Sequence, residues 1–339
     1  MKKMKLSRFV KASLVLAVSL GIAGCAGKPE EKSSDETTVT LMLDYTPNTN
    51  HSGIYVAQNK GYYEEEGLKV EIIEPGDNAT TSMVAAGKAD FGVSYQEDVT
   101  YALTSEDPLP IKTIAAVVQH NTSGFVALES MGIESVKDFE GKTYAGWGAP
   151  SEEAVIHAVM NEAGADFDKL TIVGADGSGI PGLSDEVGPN KVNLGWEFYG
   201  WAVIQAIQAG YEVTYIPLKD LDERLDYYTP VIITNDELIS NDPETVKKFM
   251  AATKKGYEYA IEHPDEAAEI LHEDALPDTD LEFLKASQKY LSEEYAKDAP
   301  SWGIMKDSVW NDYTDFMYEC GLIDHKIDAK DQYTNEFVE

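Results

Sequence analysis

Short apolar runs of strand character alternate with amphipathic helical runs along most of this chain, and that alternation constrains the fold more than any other feature. Residues 39–45, 70–74, 91–94 and 111–118 predict strands. Residues 54–60 and 81–86 between them predict helices, the second closed by Gly87. Strand, helix and strand in that order make the βαβ unit, which builds a mainly parallel sheet flanked by helices. A second set of strands, 125–128, 143–146, 170–173, 192–198 and 213–216, begins near Gly124 and is interrupted by helices at 151–163 and 201–209. Ser151 is placed to cap the first of these helices, Glu152 and Glu153 complement its positive end, and Gly164 stops it. Tyr227-Tyr228-Thr229-Pro230-Val231-Ile232-Ile233 predicts a strand that returns to the first unit, and helices follow at 244–261, 264–272, 280–295 and 307–320. The expected architecture is α/β with two lobes, lobe 1 from 39–120 and 232–339 and lobe 2 from 121–231. Crossovers near 119–124 and 227–232 hinge them. Roughly 300 residues beyond the N-terminal segment exceed a single core, and a hinge lets two lobes close on a ligand.

The N-terminal residues serve another purpose. Lys2, Lys3, Lys5, Arg8 and Lys11 precede a short apolar run, 12–22, that ends in Ile22-Ala23-Gly24-Cys25. A basic start, an apolar middle and small residues before a cysteine mark a secretory signal with a lipidation site. The expectation is a signal peptide over 1–24, a diacylated Cys25 anchoring the protein outside the bacterial cell membrane, and a flexible polar tether over 25–38. No later run reaches the ~18 consecutive apolar residues of a spanning helix. The chain carries 27 basic and 60 acidic residues, a formal net charge of −33, and loss of the signal would remove cationic side chains only. So acidic a surface does not hold nucleic acid, whose phosphates need clustered Lys and Arg. It also leaves the lipid as the sole attachment to a membrane. With Cys25 committed to lipid, Cys320 has no partner for an intrachain disulfide and is expected as a buried apolar residue.

Between the first strand and the first helix lies Asp44-Tyr45-Thr46-Pro47-Asn48-Thr49-Asn50-His51-Ser52-Gly53-Ile54-Tyr55. Such a loop sits at the carboxyl edge of an open α/β sheet, where this architecture binds small molecules. The histidines are scattered, with no HExxH, CxxC, GxSxG or GxxxxGK[ST] pattern, so no metal site, cofactor cradle or hydrolase motif is indicated. His51 alone stands in a suggestive loop, where it either braces the following helix or meets a ligand. The glycine-rich segment 174–179 is expected as a mobile surface loop, because the helix after it is too weak for a phosphate cradle. The aromatic residues are more telling. Tyr45, Tyr95, Trp147, Trp196, Tyr199, Trp201 and Tyr228 all fall at or just past strand ends. Several converging on one edge would sandwich a flat ring, adding about 0.5–1.5 kcal/mol beyond area burial. Strand alternation puts Glu197 and Tyr199 on one face, Trp196 and Phe198 on the other. Glu197 is either an exposed strand-end charge or a carboxylate that accepts from a ligand's exocyclic amine.

The opening loop is similar to the D-W-x-P-N-T-N-H-x-G-I-Y signature of ThiY-like bacterial lipoproteins, which capture pyrimidine precursors of thiamine for ABC importers; Tyr45 stands in the usual place of Trp. The resemblance continues through 60–68, 87–94, 146–152, 196–201 and 229–237 and covers most of 39–240. The patterns KGYYxxxGL and GxxDFG are shared with nitrate-, sulfonate- and taurine-binding relatives. The resemblance implies a periplasmic-binding-protein type II fold and a ligand such as N-formyl-4-amino-5-aminomethyl-2-methylpyrimidine or the related hydroxymethylpyrimidine. Together with the aromatic pattern it gives a candidate ligand set of Asp44, Tyr45, Asn48, His51, Tyr95, Gln96, Trp147, Pro150, Glu152, Glu197, Tyr199, Trp201 and Tyr228. Closure would hold the ring between Tyr45 and Trp147, Tyr199 or Trp201, with Asn48, Tyr95 and Glu152 or Glu197 as directional hydrogen-bond partners. The implied partners are an ABC permease and its ATPase, and a monomer suffices. The chain departs from the family where Glu197 replaces a usual apolar residue, Ala202 an often acidic one and Asn193 a common Asp.

A eukaryotic branch similar in fold makes the pyrimidine phosphate itself, with a cofactor-bearing Lys, a sacrificial His and a run of four cysteines. The corresponding positions here are Ser94, Asp98 and about 224–228, and none has the required residue. The chain is expected to be a binder without a cofactor, not an enzyme. A binder of sulfonate, nitrate or another small anion is the alternative. Against it, loops 44–52, 94–98, 147–152 and 195–201 contain no Lys or Arg, leaving only helix N-termini near Gly53 and Ser151 to receive an anion. A secreted hydrolase would need a nucleophile–base pair or metal ligands, and the sequence shows no such pattern.

Overall fold

The structure, a computed structural model, describes residues 36–76 and 79–339. The expected signal peptide, the lipid-bearing Cys25 and the tether as far as residue 35 lie outside the described residues. The strands are β1 (Thr37–Met42), β2 (Leu68–Ile73), β3 (Phe91–Ser94), β4 (Ile111–Ala116), β5 (Ser123–Leu128), β6 (Thr143–Gly146), β7 (Thr171–Gly174), β8 (Leu194–Phe198), β9 (Val213–Pro217) and β10 (Val231–Asn235). The helices are α1 (Ser52–Asn59), α2 (Tyr62–Glu65), α3 (Thr80–Ala85), α4 (Gln96–Thr104), α5 (Pro150–Glu162), α6 (Ile204–Gln208), α7 (Asp236–Asn241), α8 (Pro243–Glu262), α9 (Pro264–Asp274), α10 (Leu281–Glu294), α11 (Asp307–Glu319) and α12 (Ala329–Gln332). None is long and apolar enough to cross a membrane.

The strands form two five-stranded sheets, β2-β1-β3-β10-β4 and β7-β6-β8-β5-β9, each with helices packed on it. In the first, β1 is parallel to β2 and β3, while β10 is antiparallel to β3 and β4. In the second, β6 is parallel to β7 and β8, while β5 is antiparallel to β8 and β9. Each sheet thus has one reversed strand, and it is the strand entered directly after the chain crosses from the other sheet. Asp226 stitches the crossovers together: it accepts from the Asn121 backbone N–H at 2.8 Å and pairs with His120 Nδ1 at 2.6 Å, while Asn121 Nδ2 donates to Leu225 O.

Several local expectations shift. β1 starts at Thr37 rather than Val39, because Thr37 and Thr38 pair with Leu68 and Lys69 across the parallel ladder. α4 follows β3 directly, where the sequence places a loop. α5 has Ala149 at its cap and Pro150 in its first turn, so Ser151 is inside the helix and its hydroxyl is free to bond elsewhere. The helix expected at 201–209 opens with a wide π-helical turn over Tyr199–Val203 before α6. Cys320 is half-buried at the end of α11 rather than enclosed. The C-terminal part does not belong wholly to the first lobe. Tyr313, Phe316 and Met317 of α11 join Phe139, Tyr144 and Ile156 in the core under the second sheet. Trp310, one turn earlier, packs with Val231 and Ile233 of the first.

The first core fixes the loop that precedes α1. α1 and α8 meet backbone to backbone at Gly53 and Gly256, where a Cβ on Gly256 would lie 2.0 Å from the Gly53 carbonyl oxygen. From that seam Tyr257 Oη donates to Asn50 O at 2.7 Å, and Tyr295 Oη donates to Thr49 O. Thr49 Oγ1 and Ser287 Oγ are 2.6 Å apart. The loop's backbone is thereby held while Tyr45 at its front stands exposed.

Candidate ligand-binding cleft

Two cavities meet at Tyr45. The first, of about 430 Å³, is lined by Asp44, Tyr45 and Thr46 after β1, by Glu74, Pro75 and Gly76 after β2, by Thr80, and by Ser94, Tyr95 and Asp98 where β3 runs into α4. These positions are the carboxyl ends of parallel strands, where open α/β sheets bind ligands. The second, of about 890 Å³, lies over the other sheet. Ala145, Gly146, Trp147, Gly195, Trp196 and Glu197 line it, with residues between 174 and 192 and, from the first lobe, Tyr45. The glycine-rich segment after β7 is therefore a wall of the cleft.

Asp44 is held from behind. His51 is fully buried; its Nδ1 accepts from the Asn48 backbone N–H at 3.1 Å, which leaves the proton on Nε2, 2.7 Å from Asp44 Oδ1. Tyr95 Oη donates to Asp44 Oδ2 at 2.6 Å. Burial pushes the Asp44 carboxyl up, but His51 and then Tyr95 more than reverse this and hold it below the ordinary 3.8. Burial, then the Asp44 charge, pushes the Tyr95 phenol well above its usual range. Asp44 is thus a fixed carboxylate. Of the two roles open to His51, the structure places it as a brace.

In the second lobe the carboxylate of Glu152 lies under the turn that carries Trp147. Glu152 is 2% exposed and accepts from Tyr144 Oη, from the Trp147 N–H at 3.2 Å and from the Gly148 N–H at 2.8 Å. A Cβ on Gly146 would lie 2.2 Å from its Oε1. Trp147 itself is 60% exposed, as Tyr45 is 65% exposed, and both rings border the same cavity. Trp196 supports Trp147 edge-on at 5.2 Å and is supported by Phe125 at 5.6 Å. Glu197 faces the cavity, pairs with no cation among the described residues, and burial pushes its carboxyl up to about 6.

Other candidates are placed away from the cavities. Asn48 is a helix cap: its Oδ1 accepts from the Asn50 N–H and its Nδ2 donates to Thr46 O. Gln96 is buried, bonded to the Tyr228 N–H and to Val309 O. Tyr228 is a core residue, 1% exposed, beside Trp310 and accepting from the Lys306 N–H. Pro150 begins α5. Tyr199 leaves the sheet with the π-helical turn and packs on Tyr215 and Tyr290, and Trp201 packs on Phe283 of the first lobe. Glu152 and His51 act on the cleft only through Trp147 and Asp44. Asn193 is an internal brace, accepting from the Thr143 N–H and donating to Ser184 O and Glu186 O.

Polar residues of the first cavity outside the candidate set include Glu74, Thr80, Ser94 and Asp98, and Trp196 and Asp176 line the second. Ser94 and Asp98 were legible as the positions matched to Lys and His in the synthase branch; Glu74 and Thr80 had no signal beyond following a strand. Asp98 opens to the cavity, and loss of water around it, then Glu97 and Asp44, pushes its carboxyl up to about 6. Behind it, Glu97 joins the lobes. Ser151 Oγ donates to Glu97 Oε1 at 2.6 Å and Tyr313 Oη donates to Oε2 at 3.0 Å. Five carboxylates (Asp44, Glu74, Asp98, Asp176, Glu197) and no Lys or Arg line the two cavities among the described residues.

The profile of a family described as "NMT1/THI5 like" matches residues 48–267. The formylaminopyrimidine-binding protein of Halalkalibacterium halodurans is 30% identical over 264 residues, 76% of this chain and 77% of that protein. The 4-amino-5-hydroxymethyl-2-methylpyrimidine phosphate synthase of Legionella pneumophila is 26% identical over 313 residues, 90% of this chain and 94% of that one. The synthase branch is therefore not confined to eukaryotes. The ligand-binding component of an ABC-type import system from Staphylococcus aureus, solved with zinc bound, is similar with a TM-score of 0.65 at 11% identity, covering 89% of this chain and 98% of that chain. That likeness shows the fold, the two-lobed periplasmic-binding-protein type.

Proposed function

We propose a function from one premise: the chain belongs to the NMT1/THI5-like family. Within that family we infer a binding protein that captures an aminopyrimidine precursor of thiamine, formylaminopyrimidine or hydroxymethylpyrimidine, by closing its lobes. It delivers the ligand to an ABC permease driven by an ATPase. It works as an extracytoplasmic monomer tethered through Cys25, without enzymatic activity.

The carrying observation is the charge of the cleft: carboxylates and aromatic rings line it, and among the described residues no Lys or Arg does. An anion there would lose its hydration without gaining a charged partner, which disfavours a sulfonate or nitrate. An aminopyrimidine fits. Its ring is flat enough to enter between Tyr45 and Trp147, and its exocyclic amine is a donor for Glu197. With a carboxyl raised to about 6, Glu197 also holds a proton part of the time and offers it to a ring nitrogen. Ser94 and Asp98 at the cavity wall carry neither the Lys nor the His of the synthase pattern, which supports binding over synthesis.

Calorimetric titration with formylaminopyrimidine, hydroxymethylpyrimidine, thiamine and taurine tests the reading. Binding of one pyrimidine at about micromolar affinity or tighter, roughly −8 kcal/mol, with none of taurine, is expected. Taurine binding without pyrimidine binding, or conversion of the pyrimidine to a new product, would overturn it.

A further inference from the structure

One buried polar atom stands unpaired at the seam between the lobes. Val99 and Ala102 of α4 pack in a core of the first sheet, but Tyr101 between them packs against the core under the second. Its hydroxyl is buried and has no hydrogen-bond partner among the described residues. Buried hydroxyls are ordinarily paired, and leaving one unpaired is costly. A partner stands close by. Glu97, one turn earlier on the same face of α4, accepts from Ser151 Oγ of α5 at 2.6 Å. Ser151 is 2% exposed; its proton is used in that bond, but its oxygen can still accept. Burial, then the Glu97 charge, pushes the Tyr101 phenol up to about 12, and the neighbouring Ser151 hydroxyl acts against that rise.

Each of these two helix starts is tied to one jaw of the cleft. Asp44, beside Tyr45, accepts from Tyr95, the residue that precedes α4. Glu152, beside Ser151, accepts from the Trp147 N–H. Tyr45 and Trp147 are 65% and 60% exposed across their shared cavity, so the lobes have room to come closer. Movement that brings the two rings together therefore shifts the start of α5 against α4.

We propose that Tyr101 and Ser151 form a latch that engages as the lobes close: Ser151 Oγ accepts from Tyr101 Oη while it donates to Glu97, giving the closed form a hydrogen bond that this conformation lacks. Both are positioning residues, since neither lines a cavity. The inference rests on the closure proposed above and adds a source of preference for the closed state that lies outside the ligand. An interaction made only in the binding-competent state raises that state's population and with it the apparent affinity.

Calorimetry with formylaminopyrimidine and hydroxymethylpyrimidine on the parent and on Tyr101→Phe, together with thermal melts of both proteins without ligand, decides it. Tyr101→Phe keeps the ring and removes only the hydroxyl. It should weaken binding about fivefold while the ligand-free melting temperature stays at or above that of the parent. In a Ser151→Ala background the acceptor is gone, and the same change should weaken binding less than about twofold. Unchanged affinity in Tyr101→Phe, an equal loss in both backgrounds, or a loss accompanied by a lower ligand-free melting temperature overturns the latch alone. Failure of both pyrimidines to bind the parent overturns the proposed function and the latch with it.

Discussion

Replacing Glu152 by Ala would separate a positioning role from a ligand contact. The carboxylate accepts from Tyr144 Oη and from the amides of Trp147 and Gly148, and it lies 2% exposed. Hydrogen bonds to a charged group contribute about 1.5–3 kcal/mol each, and a buried donor left unpaired costs about 1–3 kcal/mol. Tyr144 is wholly buried and donates only to Glu152 among the described residues, whereas the two amides border the cleft and can turn to water. Taking about 2 kcal/mol for the phenol and about 1 for the amides together, Glu152→Ala should lower the unfolding free energy by about 3 kcal/mol. Urea unfolding followed by fluorescence measures this by linear extrapolation. Ligand affinity should fall as well, by about tenfold, because Trp147 loses the turn that presents it. Glu152→Gln should fall between, since an amide retains one acceptor and sets an NH₂ group against a donor. A Glu152→Ala protein within about 0.5 kcal/mol of the parent, with unchanged affinity, would refute the brace.

Glu197 makes stability depend on pH. Its carboxyl is raised from 4.5 to about 6 by burial, so the folded protein favours the protonated form. That contribution is present in full below about pH 4.5 and is lost as pH rises through 6, some 2 kcal/mol in all. Unfolding curves of the parent and Glu197→Gln should therefore diverge over that window, and parallel pH profiles would contradict the assignment. Tyr45→Ala should weaken pyrimidine binding about tenfold or more, equal to about 1.4 kcal/mol, while Tyr45→Trp should be tolerated. Unchanged affinity in the alanine variant removes Tyr45 from the site. Gly256→Ala drives a Cβ to 2.0 Å from Gly53 O and should cost about 1–3 kcal/mol of stability in thermal melts; no loss would mean that α1 and α8 do not meet there.

The alternation of strands and helices was legible because apolar period reports local structure directly. β3 and β6 run over the residues that the pattern predicts, and the crossovers fall where the second unit begins and where the return strand approaches. What the pattern does not report is which partner a buried face meets. α11 has an ordinary amphipathic spacing, yet its face is shared between two cores. The same limit governs the site. Tyr45, Trp147 and Glu197 lie at strand ends and face the cleft, but so do many strand-end residues that turn inward. Tyr228 and Gln96 follow the same sequence logic and are core, because a neighbouring helix covers them. Trp201 and Tyr199 were drawn aside by the π-helical turn, which rotates side chains away from the strand's alternation. Ser94 and Asp98 carried a sequence signal only as the positions matched to the synthase branch's Lys and His; their place in the cavity wall follows from α4, whose first turn comes directly after β3.

The most direct test is a crystal structure of the protein with an aminopyrimidine bound. The ring is expected between Tyr45 and Trp147, with its exocyclic amine on the Glu197 carboxylate. A pyrimidine seated elsewhere, or one that touches a single lobe and leaves Tyr45 or Trp147 in solvent, would contradict capture by closure.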